Sequence, residues 1–324
     1  FTEFPILSRA TTTLERSSIK FAPKRIMVKR SNNRTRWVDQ GHDYVSPYIY
    51  IGYDCNNNCS FCSESDEYLE NLEKKDLKQL KAEIKRIREN YDFISFMGRE
   101  PTLRPDFFDL LAFAKTLDFR QISVATNGRL LAYPEFVKKM LASGVNQVGI
   151  SFNSSDEKIH DSMTACPGSF KQTIQGIKNL TTLKKPGLSI LVNVPLTQKN
   201  YETLEPTLDL LIRSGVKEIN ILWVAPLSRR SRTKDIVCHM PTLSRHVAKT
   251  LKKEKYQKSG VKFLLVEFLP CSLPKDFRDF FFPCLEKNSN KTRIDLCPEC
   301  PYKFSCDGVL RDYLELYGQE GLKL

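Results

Sequence analysis

Three cysteines, Cys55, Cys59 and Cys62, stand in the segment Tyr-Asp-Cys-Asn-Asn-Asn-Cys-Ser-Phe-Cys, a Cys-x3-Cys-x2-Cys spacing. Three thiolates on one short loop can hold three irons of a 4Fe-4S cube and leave the fourth iron without a protein ligand, open to a small molecule. An open iron points to chemistry rather than to storage of charge. A structural zinc site or a disulfide framework fits less well. Zinc knuckles close a set of four ligands from two short spacings, and the nearest upstream histidine, His42, lies 13 residues before Cys55. Disulfide frameworks suit small secreted domains, whereas this chain has 324 residues and 10 cysteines.

A second group, Cys271, Cys284, Cys297, Cys300 and Cys306, lies in the tail, the last three in a Cys-x2-Cys-x5-Cys spacing. Four such thiolates could hold a further cluster or a tetrahedral zinc ion. Cys166 and Cys238 fall outside both groups and read as small buried apolar residues.

These residues need a scaffold. Strand-like apolar runs occur at 46–53, 92–97, 121–125, 147–152, 189–195 and 218–224, with a last one at 261–268. Segments with helical apolar spacing lie between them, at 77–87, 107–117, 136–141, 173–183 and 204–212. Alternation of strands and helices implies parallel strands joined by crossovers, and it places ligand-binding loops at the strand C-terminal ends.

The triad, with Phe61 before its last cysteine, resembles the signature of the radical S-adenosylmethionine (radical SAM) superfamily. Gly98-Arg99-Glu100-Pro101 is similar to that superfamily's Gly-Gly-Glu-Pro motif, with Arg99 in place of the second glycine. A side chain there is costly if the position needs a positive φ. Thr126-Asn127-Gly128 and Ser151, each ending a strand-like run, match in the expected order, and His160-Asp161 and Pro167-Gly168 follow. The resemblance implies an α/β fold with a partial (β/α)6 TIM-like barrel. It also implies a 4Fe-4S cluster on Cys55, Cys59 and Cys62, and S-adenosylmethionine held by Phe61, Gly98, Arg99, Glu100, Pro101, Asn127 and Ser151. One electron, from a reductant such as ferredoxin or flavodoxin, would cleave that cofactor to a 5'-deoxyadenosyl radical, which takes hydrogen from a substrate.

The tail spacing resembles the SPASM domain of radical SAM enzymes, which carries auxiliary clusters. Leu310 stands where the family core has its next cysteine, and a later cysteine is missing. A shortened, twitch-like extension with one auxiliary 4Fe-4S cluster is the implied form. Cys297, Cys300 and Cys306 would be ligands and Cys271 or Cys284 the fourth. The implied division is a basic extension (1–44), the barrel (45–226), a basic loop, helix and last strand (227–268), and the auxiliary module (269–324).

Formal net charge is +12. Residues 1–40 hold nine Lys or Arg against three acids, and residues 227–262 hold eleven against two. Arg229, Arg230, Arg232 and Lys234 would lie near the barrel mouth, where they could attract an acidic peptide, a phosphorylated molecule or RNA, or form a solvated face. The resemblance favours a peptide or protein substrate first and cofactor biosynthesis second. RNA modification comes third, without a recognisable RNA-binding module. A non-catalytic iron-sulfur or zinc-binding protein is the reading from another class. No apolar run reaches the roughly 20 residues of a membrane span and no secretory signal opens the chain, so a cytoplasmic location is expected. The first residue is Phe1 rather than Met, which leaves a preceding segment open.

Overall fold

Seven strands run parallel in one sheet, in the order in which the chain makes them. The computed structural model describes residues 47–63, 74–183, 185–280 and 290–324. The basic extension at 1–44, His42 and Cys284 therefore lie outside the described residues.

Strand β1 (Tyr48–Gly52) is followed by helix α1 (Leu77–Asn90), β2 (Phe93–Gly98), α2 (Phe107–Thr116), β3 (Gln121–Thr126), α3 (Pro134–Ala142) and β4 (Gln147–Ser151). Next come α4 (Glu157–Thr164), α5 (Ser169–Thr182), β5 (Ser189–Leu196), α6 (Leu204–Arg213), β6 (Glu218–Trp223), α7 (Met240–Leu251), α8 (Glu254–Gln257) and β7 (Lys262–Val266). Local signals account for these elements. In α1, Asp76 and Gln79 form a reciprocal capping box, and Leu80, Ile84 and Ile87 are buried at helical spacing. In the strands, alternate residues such as Ile94 and Phe96, Val192 and Val194, or Ile219 and Ile221 are buried in the core. On the opposite face, the register sets Ser151, Asn193, Asn220 and Leu264 in one row across four strands. Asn220 Nδ2 donates to Asn193 Oδ1 within that row at 3.0 Å.

The sequence suggests six barrel strands and a separate last strand. In the structure that last strand pairs with β6 in parallel and becomes the seventh of the same sheet. Phe263 and Leu265 are buried at alternate positions, and the basic helix α7 supplies the crossover. The lysines around α7 and α8 form a charged outer face. Lys255 pairs with Asp209 at 2.7 Å and Glu205 at 2.9 Å, and Lys252 pairs with Asp276 at 2.7 Å.

The tail forms a two-stranded antiparallel sheet, β8 (Lys291–Thr292) and β9 (Val309–Leu310), followed by helix α9 (Arg311–Tyr317). Gly308 allows the hairpin to close: its φ is +106°, and a Cβ there would lie 2.2 Å from the Thr292 carbonyl oxygen. Fully buried Tyr313 joins tail to barrel by packing edge-on against Trp223 at 5.6 Å. No helix among the described residues is long and apolar enough to cross a membrane.

Candidate functional site: two cysteine centres

Cys55, Cys59 and Cys62 occupy the loop that leaves the C-terminal end of β1, where a barrel of this kind places its ligands. The loop is pinned along its length. Asn58 N donates to Thr164 O at 2.8 Å and Ser60 N to Met163 O at 3.0 Å, so the end of α4 supports it from below. Asn127 Nδ2 donates to Asn56 Oδ1 at 2.7 Å, and Ser228 Oγ to Cys62 O at 2.6 Å. Arg129 Nη1 reaches Asn56 O and Asn57 Oδ1, and Arg230 Nη1 reaches Asn58 Oδ1.

The thiols feel one another. Burial, then the nearness of Cys62 and Cys55, pushes Cys59 up to about 12, with Arg230 acting in the opposite direction. Burial also raises Cys55, against the pull of the Asn57 N–H, which donates to its Sγ at 3.3 Å. Three mutually repelling sulfurs on a fixed loop become thiolates readily only around positive charge, which is the donor set an iron-sulfur group requires. Phe61 is partly buried between the last two cysteines.

Beside this loop, β2 ends in the Gly98–Pro101 turn. The backbone demand falls on Gly98 rather than on Arg99. Gly98 has φ +130° and a Cβ there would sit 2.5 Å from Gly52 O, while Arg99 has no positive φ. Arg99 N donates to Gly52 O at 3.0 Å and Glu100 N to Asp54 O at 3.1 Å, locking the turn to the start of the cysteine loop. Glu100 is 1% exposed, and its carboxylate accepts from Thr102 Oγ1 (2.5 Å), Thr102 N (3.2 Å), Thr126 Oγ1 (2.7 Å) and Asn127 N (2.7 Å). Burial raises its pKa and those bonds oppose the rise. Glu100 thus knits the ends of β2 and β3 together around the cysteine loop. Ser151 is exposed at the end of β4, opposite Asn193 of β5.

The second centre draws on two stretches of chain. Cys271 lies in a short 3-10 turn, and Cys297, Cys300 and Cys306 lie in the tail hairpin. All four line one small, partly open apolar pocket, with Leu269, Ile294 and Val309 among its walls. Burial first, then Cys306, Cys300 and Cys297, pushes Cys271 up to about 12. Backbone amides point at two of the sulfurs, Ile294 N to Cys297 Sγ at 3.3 Å and Gly308 N to Cys306 Sγ at 3.5 Å. No three His, Cys, Asp or Glu side chains among the described residues stand close enough together to share one metal ion, so the four thiols line the cavity rather than meet at a point.

Cys238 is 3% exposed and belongs to the core. Cys166 is only part-buried and accepts from Arg129 Nη1 at 3.1 Å, a polar setting that the reading of a small apolar residue misses. The basic loop also differs from expectation. Arg230 is engaged with the cysteine loop, and Arg232 pairs with buried Asp312 of α9 at 3.1 Å. Arg129 and Ser228 carried no motif; the run of three asparagines between Cys55 and Cys59, rich in side-chain acceptors, was the available sign that something must hold that loop.

A seven-stranded parallel partial barrel with a three-cysteine loop after its first strand defines a class, and the sequence comparison agrees. The family model of the radical SAM superfamily matches residues 49–211, and the chain belongs to that superfamily. It is a radical SAM enzyme, and the family uses a 4Fe-4S cluster and S-adenosylmethionine. An AdoMet-dependent heme synthase from Methanosarcina barkeri is 28% identical over 185 residues, 56% of this chain and 51% of the relative. A probable GTP 3',8-cyclase from Saccharolobus islandicus is 27% identical over 186 residues, 55% of this chain and 56% of the relative. The chain spans about half the length of these curated relatives. Among solved structures, Streptococcus suis SuiB bound to S-adenosylmethionine aligns with a TM-score of 0.63 at 16% identity, covering 86% of this chain and 76% of SuiB. The structure of anSMEcpe with bound AdoMet aligns with a TM-score of 0.56 at 15% identity, covering 86% and 93%. These two likenesses are of fold. Membership in an enzyme superfamily sets aside the reading of a non-catalytic iron-sulfur or zinc protein.

Proposed function

We propose that this chain is a radical SAM enzyme of cofactor biosynthesis, acting on a small molecule at the mouth of the barrel. The observation that carries this reading is the sequence similarity of the barrel to a heme synthase and a GTP cyclase, both cofactor-forming enzymes. Peptide maturation, the first expectation from the sequence, has support only from neighbours in fold. RNA has less support from the segment at 227–262, where Arg230, Arg232, Lys252 and Lys255 have partners within the chain; the basic segment at 1–40 lies outside the described residues.

In this reading Cys55, Cys59 and Cys62 would hold a 4Fe-4S cluster, and the backbone of Gly98 to Pro101, with Phe61, Asn127 and Ser151, would position S-adenosylmethionine. Together the two groups supply reductive cleavage of a carbon–sulfur bond and a carbon radical able to take hydrogen from substrate. The protein's part is geometric. The Glu100 network fixes the loops around the site, and the end of α4 sets the height of the cysteine loop. In the tail, Cys271, Cys297, Cys300 and Cys306 hold one auxiliary 4Fe-4S cluster, in a twitch-like module over residues 269–324. Four thiolates leave no iron open, so that centre suits electron transfer rather than substrate ligation.

Anaerobic reconstitution, with dithionite, S-adenosylmethionine and in turn a carboxylated porphyrin, GTP and a peptide pool, tests the reading. The expected result is 5'-deoxyadenosine that rises with a small molecule and vanishes in a Cys55→Ala, Cys59→Ala, Cys62→Ala variant. A rise with peptides alone overturns the substrate class, and cleavage retained in the triple variant overturns the ligand assignment.

A further inference from the structure

Two arginines from loops far apart in sequence converge on the triad loop. Arg129, just after β3, places Nη1 on Asn56 O, on Asn57 Oδ1 at 3.1 Å and on Cys166 Sγ at 3.1 Å, while its Nε is fixed by Gln172 Oε1 at 2.6 Å. Arg230, after β6, places Nη1 on Asn58 Oδ1, and its neighbour Ser228 holds Cys62 O. The segment between Cys55 and Cys59 is therefore held by two guanidinium groups, one on Asn56 and Asn57 and one on Asn58. Arginine keeps its charge at all working pH values, and its planar fork holds several acceptors in one geometry.

Fixed positive charge beside an iron-sulfur group has a definite consequence. Uptake of an electron makes the group more negative, and a cation in a partly desolvated setting stabilises that state more than the oxidised one. We propose that Arg129 and Arg230 are positioning residues that raise the reduction potential of the centre at Cys55, Cys59 and Cys62 while holding its loop. The electron balance is simple: an external one-electron donor loses one electron and the centre gains it, with no proton transferred. This rests on the reading of the triad as a cluster loop.

The test is an electron paramagnetic resonance redox titration of the reconstituted full chain, following the signal that changes when S-adenosylmethionine is added. Native protein is compared with Arg129→Gln, Arg230→Gln, Arg129→Lys and Arg230→Lys. Each Gln variant is expected to show a reduced-to-oxidised ratio at least about tenfold lower at a fixed poise, a shift of about 59 mV for a one-electron couple. The Lys variants, which keep the charge and lose the fork, are expected to stay near the native potential. Native potentials in both Gln variants overturn the proposal, as do Lys variants that fall as far as their Gln counterparts. If a Gln variant retains no iron, its Lys counterpart decides: a near-native potential supports the charge effect and a lowered one overturns it. Native protein with no S-adenosylmethionine-responsive signal that is lost in Cys55→Ala defeats the cluster-loop reading itself, before any arginine variant is measured.

Discussion

The two cysteine centres are built in opposite ways. The triad comes from eight consecutive residues and is steadied by side chains from everywhere else: Asn127, Arg129, Ser228 and Arg230. The tail centre gathers its thiols from Cys271 and from Cys297 to Cys306, and its surroundings are apolar walls and backbone amides. Three thiols on one compact loop with polar neighbours would, on the proposed reading, leave a cluster one position for an exchangeable partner. Four dispersed thiols around an apolar pocket depend for their nearness on the fold that brings the pieces together. The difference teaches that the triad's thiols are set side by side by local sequence and held by distant side chains, whereas the tail brings Cys271 beside Cys297, Cys300 and Cys306 only through tertiary structure.

The sharpest way to break this contrast is to move the fourth tail ligand. Cys271→Ala should remove the tail's share of iron, about four atoms per chain, and leave cleavage of S-adenosylmethionine by the triad measurable. Cys284→Ala should leave iron content unchanged. Iron lost with Cys284 rather than Cys271, or zinc found in place of iron by metal analysis, would replace the closed four-thiol cluster with a different centre.

A smaller effect probes the support under the triad. His160 on α4 is 1% exposed, packed against Phe152 and Phe170, and burial lowers its pKa to about 4. The unfolded chain binds a proton near pH 6.5 and the folded one does not, so stability falls as pH drops from about 6.5 toward 4. The loss is of the order of 3 kcal/mol at most. Thermal unfolding between pH 7 and 4.5 should show it, and His160→Asn should flatten the slope. Because Met163 and Thr164 hold the cysteine loop, iron release from the triad should follow the same pH trend. A melting temperature independent of pH over that range would separate α4 from the site.

The smallest effect belongs to the outer charged face. Changing Lys253 and Lys255 to Gln removes exposed ion pairs to Glu205 and Asp209 and should shift stability by no more than about 1 kcal/mol. Formation of 5'-deoxyadenosine should be unaltered. A salt-dependent loss of substrate affinity in that variant would instead make the face part of the substrate path.

The barrel was legible because its signals are local. Alternating burial in β2 and β6, helical spacing in α1 and turn chemistry at Gly98 and Gly128 each act within a few residues, so six strands and the triad could be read directly. The seventh strand was visible as an apolar run, but its place in the sheet depended on pairing with β6. The role of Arg230 was hidden for a similar reason. A charged residue in a basic run looks solvated until the fold sets Asn58 beside it, 172 positions away. By itself the sequence was enough to show the superfamily and to bring the three thiols of the triad together, because they lie on one short loop and need no distant partner to be recognised. Tertiary structure alone set Cys271, one of two candidates in the sequence, on the pocket that Cys297, Cys300 and Cys306 line, and put Arg129 and Arg230 on one loop, because these depend on which strand ends and hairpin the folded chain brings into contact.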